Sequence, residues 1–310
     1  MYYDVIPAPK PCDGPVVIDG SIVAYAAGFA NEKWGYKATM SDGSIIEVAK
    51  KADLSEVIDD VVSTEKYRIE DNGCDIVTTT VDNMINRIEK NTNRECVIAL
   101  DGDKNYRKEA NLSFPYKGNR DPNHRPRYIK ETLEHMMFCY AFESEEYLEG
   151  DDIIGSFPEP KIMASIDKDL LQVPGVHYNW KANEFRAVSA SQGLKNLAYQ
   201  LIVGDKVDNI PGIPRIGKIK ATKILDSYDF ISLYTNKQAV MKIIYDLYYN
   251  YICRITDASK FYGLNVEKVV TQWLASNLIA LWIQRERDNL QDDLDSNLCA
   301  IIHEILDDPI

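Results

Sequence analysis

The sequence predicts an α/β fold: a central, mostly parallel sheet flanked by helices, with a smaller helical part beside it. Three observations predict it. Three short apolar runs, 16–18, 97–100 and 162–166, lack polar alternation, as strands buried on both faces do. Helical patterns lie between these runs. From about residue 190 onward the pattern is mostly helical.

In chain order, Val16-Val17-Ile18-Asp19 reads as the first buried strand, followed by a helical pattern over 21–30. Residues 36–80 carry a hairpin-turn signal at Ser41-Asp42-Gly43 and a short helical pattern over 53–62, and they suggest no function. A helical pattern over 81–90 leads to Val97-Ile98-Ala99-Leu100-Asp101. A third helical pattern, 127–142, follows Pro126, a residue suited to a first turn. Ile162-Met163-Ala164-Ser165-Ile166-Asp167 is the third buried strand. We therefore expect an α/β core over 1–189 and a helical region over 190–310. The last 26 residues hold two basic residues against eight acidic ones, an acidic tail expected to face solvent.

The length of 310 residues fits roughly two domains at about 150 residues each. Hydrophobic residues at 45% and charged residues at 27% exclude a disordered chain. No apolar stretch reaches the ~18 residues of a membrane span, and no signal peptide is visible, so a cytoplasmic protein without membrane partners is expected. The six cysteines include no CxxC pair and the four histidines are scattered, which argues against a zinc site or a disulfide framework. A net charge of −13 taken alone argues against a nucleic-acid partner. Its distribution along the chain reverses that inference.

All three apolar runs end on aspartate. In an open α/β sheet, ligands bind beyond the carboxyl ends of the strands, so three carboxylates meet at one ligand-binding edge. Further acids stand in Glu149-Gly150-Asp151-Asp152, in Asp167-Lys168-Asp169 and in Gly204-Asp205-Lys206-Val207-Asp208. The candidate set is Asp19, Asp101, Glu149, Asp151, Asp152, Asp167, Asp169, Asp205 and Asp208. Clustered carboxylates oppose folding unless cations relieve them. Oxygen ligands without His or Cys favour Mg²⁺, with Mn²⁺ able to substitute. Two such ions ~3.5–4 Å apart can activate water and steady the leaving oxygen of a phosphodiester. Any one of these acids, taken singly, is equally a helix cap or a solvated turn.

Opposite in sign, residues 104–130 hold eight basic residues against two acidic ones, with Tyr106, Phe114, Tyr116 and Tyr128 interleaved. Basic groups bind phosphates and aromatic faces stack unpaired bases, although a solvated loop has the same composition. Ile210-Pro211-Gly212-Ile213-Pro214-Arg215-Ile216-Gly217-Lys218 is a turn between two helical patterns, followed by Lys220 and Lys223. Glycines there let a backbone approach phosphate, and the next helix offers its positive N-terminal end. A simple helix hairpin is the alternative.

Taken together these segments resemble the 5′-nucleases, the family of flap endonucleases, 5′-nuclease domains of bacterial DNA polymerases and phage 5′→3′ exonucleases. The pieces VVIDG, IALDGDKNYRKE, FPYKGNRDP, LEGDDIIG, SIDKDLLQ and VGDKVDNIPGIPRIGKIKATKIL stand in family order over about 16–225. The LEGDD form is most similar to the stand-alone exonucleases of short-tailed DNA phages. The resemblance implies a PIN-like 5′-nuclease fold with a helix–two-turn–helix over 204–225 and an arch or gateway over 104–130. It implies two Mg²⁺ ions, with Asp19, Asp101, Glu149, Asp151, Asp152 and Asp167 nearer the first, and Asp169, Asp205 and Asp208 nearer the second. It gives Lys117 and Arg120 catalytic contact with the scissile phosphate. Arg107, Lys108 and Tyr116 fall in its DNA-binding arch, and Tyr25 matches a stacking aromatic, though a core tyrosine fits there as well. Gly212, Arg215, Gly217, Lys218 and Lys220 would grip duplex backbone, with a K⁺ ion at the helix–two-turn–helix. The activity implied is a 5′→3′ DNA exonuclease, with flap cleavage and degradation of RNA–DNA hybrids, working as a monomer in phage DNA replication or recombination within the host cytoplasm. A non-catalytic DNA-structure-binding protein and a PIN-like ribonuclease are the competing readings. One departure is that only residues 153–160 separate Asp152 from the next strand, and Pro158 and Pro160 would end a helix early there.

Overall fold

The computed structural model describes residues 1–10, 14–121, 124–255 and 265–285. Strand β1 (Asp4–Ile6) precedes β2 (Val16–Asp19), which runs directly into helix α1 (Gly20–Ala30). An antiparallel excursion follows: β3 (Glu32–Met40), β4 (Ile45–Val48), a 3-10 stretch Lys51–Asp60, and β5 (Val61–Asp71). The chain returns through α2 (Cys74–Thr92) to β6 (Cys96–Ala99). Then come α3 (Tyr106–Glu109), α4 (Ile129–Cys139), β7 (Phe142–Glu143), α5 (Gly150–Ser156) and β8 (Ile162–Ala164). A 3-10 turn, Asp169–Gln172, leads to β9 (Gly175–Asn179) and β10 (Glu184–Val188). Beyond Ser189 the described elements are helices: α6 (Ala190–Val203), α7 (Lys218–Leu225), α8 (Phe230–Leu233), α9 (Lys237–Ile255) and α10 (Val266–Leu281).

The main sheet has the order β1-β10-β9-β8-β2-β6-β7. The five strands from β9 to β7 run parallel, and β10 and β1 add antiparallel at the other edge. Val16, Val17 and Ile18 of β2 are wholly inaccessible because both faces of the sheet are covered. Val16 and Ile18 pack under α1 and α2 with Val23, Val81, Ile85 and Ile98. Val17 points the other way, to Ala99, Ile153, Ile154 and Met163. The period of two along β2 thus serves two cores at once. A third core, of α6, α7, α9 and α10, holds Leu201, Ile202, Ala221, Ile244 and Tyr248.

Because the chain goes from β2 to β6 on one side and later to β8 on the other, the order reverses beside β2. The carboxyl ends of β2, β6 and β8 therefore open onto one crevice. Strands β6 and β8 stop sooner than the apolar runs do, so Asp101 and Asp167 lie on the loops just beyond. The turn at 41–43 joins β3 to β4, with Met40 N donating to Ser44 O at 2.8 Å. The short helix of that region is the 3-10 stretch, and its Leu54 packs on Ala38 and Met40 in a small separate core.

Helix α4 begins at Ile129 rather than in the turn at Pro126. Pro126 is instead packed on Gly28, where a β-carbon would come within 2.3 Å of its Cβ. Helix α5 ends at Ser156, and the chain turns through Phe157–Pro160 straight into β8, the abbreviated connection expected from the two prolines. The acidic tail, 286–310, lies outside the described residues. Among the described residues no helix is long and apolar enough to cross a membrane, and Cys74, Cys96, Cys139 and Cys253 are free thiols.

Candidate active site

A cleft of about 890 Å³ lies over the crevice beside β2. Eight of the nine candidate carboxylates line it: Asp19, Asp101, Glu149, Asp151, Asp167, Asp169, Asp205 and Asp208. Four of them accept backbone N–H groups. Asp19 caps α1, accepting from Ile22 N at 3.0 Å, and takes the Ser165 hydroxyl at 3.2 Å. Asp101 accepts from Gly150 N at 2.8 Å, which ties the end of β6 to the start of α5. Asp167 accepts from Asp169 N at 2.8 Å. Asp205 accepts from Val207 N at 2.7 Å inside the turn after α6.

Burial pushes the Asp19 carboxyl up to about 7, with Asp101 and Asp167 adding like-charge repulsion. Burial, aided by Asp167, raises Asp169 to about 6. Asp151 is raised well above the ordinary carboxylate range by burial and by Glu149 and Asp152. Asp101 is raised by burial, with Glu149 beside it. Glu149 goes the other way: burial opposes its charge, but Arg107 and Lys117 outweigh that and hold it low.

Among the described residues no three acidic, His or Cys side chains close on one point as a finished coordination sphere would. The chain's own cations stand between them. Lys117 donates to Glu149, and Arg120 donates to Asp208. Lys168 bridges Asp169 at 2.7 Å and Asp205 at 2.5 Å. Lys168 sits inside a motif selected for its acids, and sequence reasoning passed over it; its position between two candidate carboxylates was the available signal. The donor set itself, carboxylate oxygen throughout with buried acids raised by mutual repulsion, fits hard divalent cations.

Four sequence expectations are corrected by the geometry. Asp152 does not reach the cleft. Its carboxylate is fully buried and forked on Arg107, at 2.6 and 2.8 Å, and it also accepts from Gln284 N at 2.9 Å. Arg107 is correspondingly absent from any DNA-facing surface: its side chain is 2% exposed and donates to the Trp282 carbonyl at 2.6 Å. A planar fork on a buried carboxylate is what keeps both charges inside. Tyr116 is buried as well, its hydroxyl donating to Glu149 at 2.8 Å. Gly212 is buried against the end of α6, where a β-carbon would lie 2.3 Å from Gly204 N. Its φ of +56° and that of +72° at Gly204 belong to the left-handed region that glycine occupies at little cost. Gly212 shapes the turn and does not meet solvent.

The remaining candidates are at the surface or in the cleft. Lys117 and Arg120 line it, and both cations are held above their ordinary values: burial opposes the charge, but Glu149 and Asp208 outweigh it for Lys117, and Asp208 does so for Arg120. Lys108 and Tyr25 line it too. Arg215, Gly217, Lys218 and Lys220 are exposed on the turn after α6 and on the first turn of α7. A β-carbon at Gly217 would meet nothing within 4 Å, so the start of α7 is open. The described part of 104–130 is not a free arch. Its middle is pinned to the turn after α6, with Lys117 N donating to Asp208 O at 2.9 Å and Asn209 Nδ2 to Pro115 O at 2.8 Å.

No protein-family model matches the chain. Over 130 residues it is 31% identical to a 5′-3′ exonuclease of Mycoplasma genitalium, covering 35% of this chain and 44% of that protein. Over 164 residues it is 27% identical to a 5′-3′ exonuclease of Buchnera aphidicola subsp. Baizongia pistaciae, covering 46% of this chain and 53% of that one. The chain thus spans about half the length of the curated relatives it matches. In fold it is similar to the T5 D15 protein, a crystal structure obtained with metal ions, at a TM-score of 0.51 and 15% identity over 95% of this chain and 99% of that one. Sequence likeness to the two exonucleases thus covers part of this chain, and fold likeness to the D15 protein covers nearly all of it.

Proposed function

We propose that the protein is a metal-dependent 5′→3′ DNA exonuclease that also cuts 5′ flaps. The observation that carries the reading is the one cleft in which eight carboxylates from five chain segments meet Lys117 and Arg120. Asp19, Asp101, Glu149, Asp151 and Asp167 would hold a first Mg²⁺ ion and Asp169, Asp205 and Asp208 a second, with Mn²⁺ able to replace either. When bound, such ions polarise a phosphodiester and lower the proton affinity of water.

The chain's own residues do the rest. Arg215, Lys218 and Lys220, exposed near the open start of α7, attract duplex phosphates without reading bases. A K⁺ ion at the turn after α6 and activity on RNA–DNA hybrids belong to the same reading, as does action as a monomer. Lys117 and Arg120, now paired with Glu149 and Asp208, would turn to the scissile phosphate and stabilise charge developing there. Tyr25, on the wall of the cleft, offers a ring to the terminal base.

The decisive experiment is digestion of 5′-labelled duplex, nicked and flap DNA with and without Mg²⁺, with product sizes resolved. Mononucleotides from the 5′ end and short flap fragments, both abolished by EDTA, are expected. Tight binding in EDTA with no cutting in Mg²⁺ would instead make this a DNA-structure-binding protein. That outcome is disfavoured by carboxylates that would repel the phosphates they face.

A further inference from the structure

The cleft does not end at the carboxylates. It continues along α1 past Tyr25 and Phe29 to Arg125 and Lys130. Phe29 lies ten residues beyond Asp19, about 15 Å along the helix axis. There it meets two rings from elsewhere in the chain. His124 stands 5.1 Å from Phe29, and Trp34 of β3 is 5.1 Å from His124, edge to face. Tyr25 is 6.1 Å from Phe29 on the other side.

The excursion β3–β4–β5, for which the sequence suggested no function, supplies two further cations. Lys66 and Arg68 of β5 stand over the Trp34 ring, each 5.0 Å from its centre. Lys66 is exposed, and its ammonium contacts His124 Nε2 at 2.6 Å. Arg68 fastens the small sheet to the chain beside the cleft by donating to the Arg125 carbonyl at 2.7 Å. His124 and Arg125 are themselves exposed.

We propose that this corner is a binding subsite for the unpaired 5′ strand of a DNA substrate, with Tyr25, Phe29 and His124 as base-stacking rings and Lys66 and Arg125 as phosphate contacts. The proposal rests on the nuclease reading above. Rings alternating with cations along a groove are the chemistry that holds single strands without reading sequence. About 15 Å accommodates up to about four stacked nucleotides at 3.4 Å per step. Continuity with the cleft sets the occupant: a strand whose scissile phosphate lies at the carboxylates extends along α1 into this corner. In this view β3–β5 extends the wall of the active site and Trp34 backs the stacking rings.

The test is the double variant Lys66→Ala/His124→Ala, both side chains being exposed, beside His124→Phe, which keeps a ring. Binding is read by fluorescence anisotropy with Ca²⁺ in place of Mg²⁺, on nicked duplex with and without a four-nucleotide 5′ tail. Wild type and His124→Phe should bind the tailed substrate more tightly than the tail-less one. The double variant should lose at least about fivefold on the tailed substrate, the low end for one lost base stack, and nothing on the tail-less one. Equal losses on both substrates would reduce the corner to general phosphate attraction and overturn the subsite. No loss on either, in a wild type that cuts 5′ ends, would do the same and leave the nuclease reading standing. A wild type that neither binds nor cuts DNA would sink both.

Discussion

Asp19 is the most revealing single position, because its two jobs respond to substitution in opposite directions. Its carboxyl is 5% exposed and lies among like charges, which raises it from 3.8 to about 7. For a carboxyl raised in the folded state the sign is unfavourable. The cost is absent below the unfolded value, grows as pH rises, and is complete above the folded value. At pH 8, with the group ionised in both states, the cost to the metal-free protein is about 4 kcal/mol. At pH 5 the folded carboxyl keeps its proton while the unfolded one has lost it, and the cost is less than half as large.

Asp19→Asn removes the titration and keeps a good cap for α1, since Asn serves at that position as well as Asp. The metal-free variant should therefore be more stable than wild type, and more so at pH 8 than at pH 5. At about 2 °C per kcal/mol for a chain of this size or somewhat smaller, the melting temperature should rise by about 8 °C at pH 8 and about 3 °C at pH 5. Both are upper figures, because water entering the cleft softens the repulsion. The same variant should lose cleavage and most of the thermal stabilisation that saturating Mg²⁺ gives wild type. Melting curves at the two pH values, in EDTA and in Mg²⁺, decide the matter. A metal-free variant less stable than wild type, or shifted equally at both pH values, would refute the electrostatic account of this cluster.

Arg107→Ala should destabilise the protein by about 3–5 kcal/mol, because it strands the Asp152 carboxylate in the interior; urea midpoints measure this. Lys117→Ala should lower the single-turnover cleavage rate by about 10²–10³ while DNA affinity, read in Ca²⁺, changes little. Lys218→Ala/Lys220→Ala should do the reverse: weaken binding on every sequence and reduce the salt slope of log affinity by about 1–2, with single-turnover rates at saturating enzyme unchanged.

The α/β frame was legible because its strands carry an unambiguous signal. Val16-Val17-Ile18 is apolar without alternation, and the structure covers both of its faces. The helices around it were legible from their apolar spacing, as were the turn at 41–43 and the early stop of α5 before Pro158. Strand β5 was not. Val62, Ile69 and several charged residues are exposed along it, and its partner β3 buries only Gly35, Ala38 and Met40. A two-sided, mostly wet ribbon has no single apolar face from which its periodicity can be read. The start of α4 was missed for a related reason: Pro126 suits a first turn, but tertiary packing against Gly28 claims it.

At the site, sequence identified which residues are acidic and basic but not which would neutralise which. Glu149, Asp151 and Asp152 are near neighbours in the chain, yet α5 turns Asp152 inward while Glu149 and Asp151 line the cleft. The side of a helix is decided by roughly 100° per residue and by what waits on the buried side. Here that is Arg107, whose neighbour Lys108 faces the cleft instead. The basic segment thus divides its cations between two tasks that composition cannot separate. Arg107 makes burial of an acid tolerable, while Lys117 and Arg120, with Lys168 from the acidic motif, offset acids that must stay in the cleft. Both tasks lower the like-charge repulsion that nine carboxylates around one sheet edge create. Several of the charges that looked like a DNA surface in the sequence are therefore accounted for within the fold. Cations open to a nucleic acid stand on the rim, among them Lys108, Arg125, Lys66 and those of the turn leading into α7.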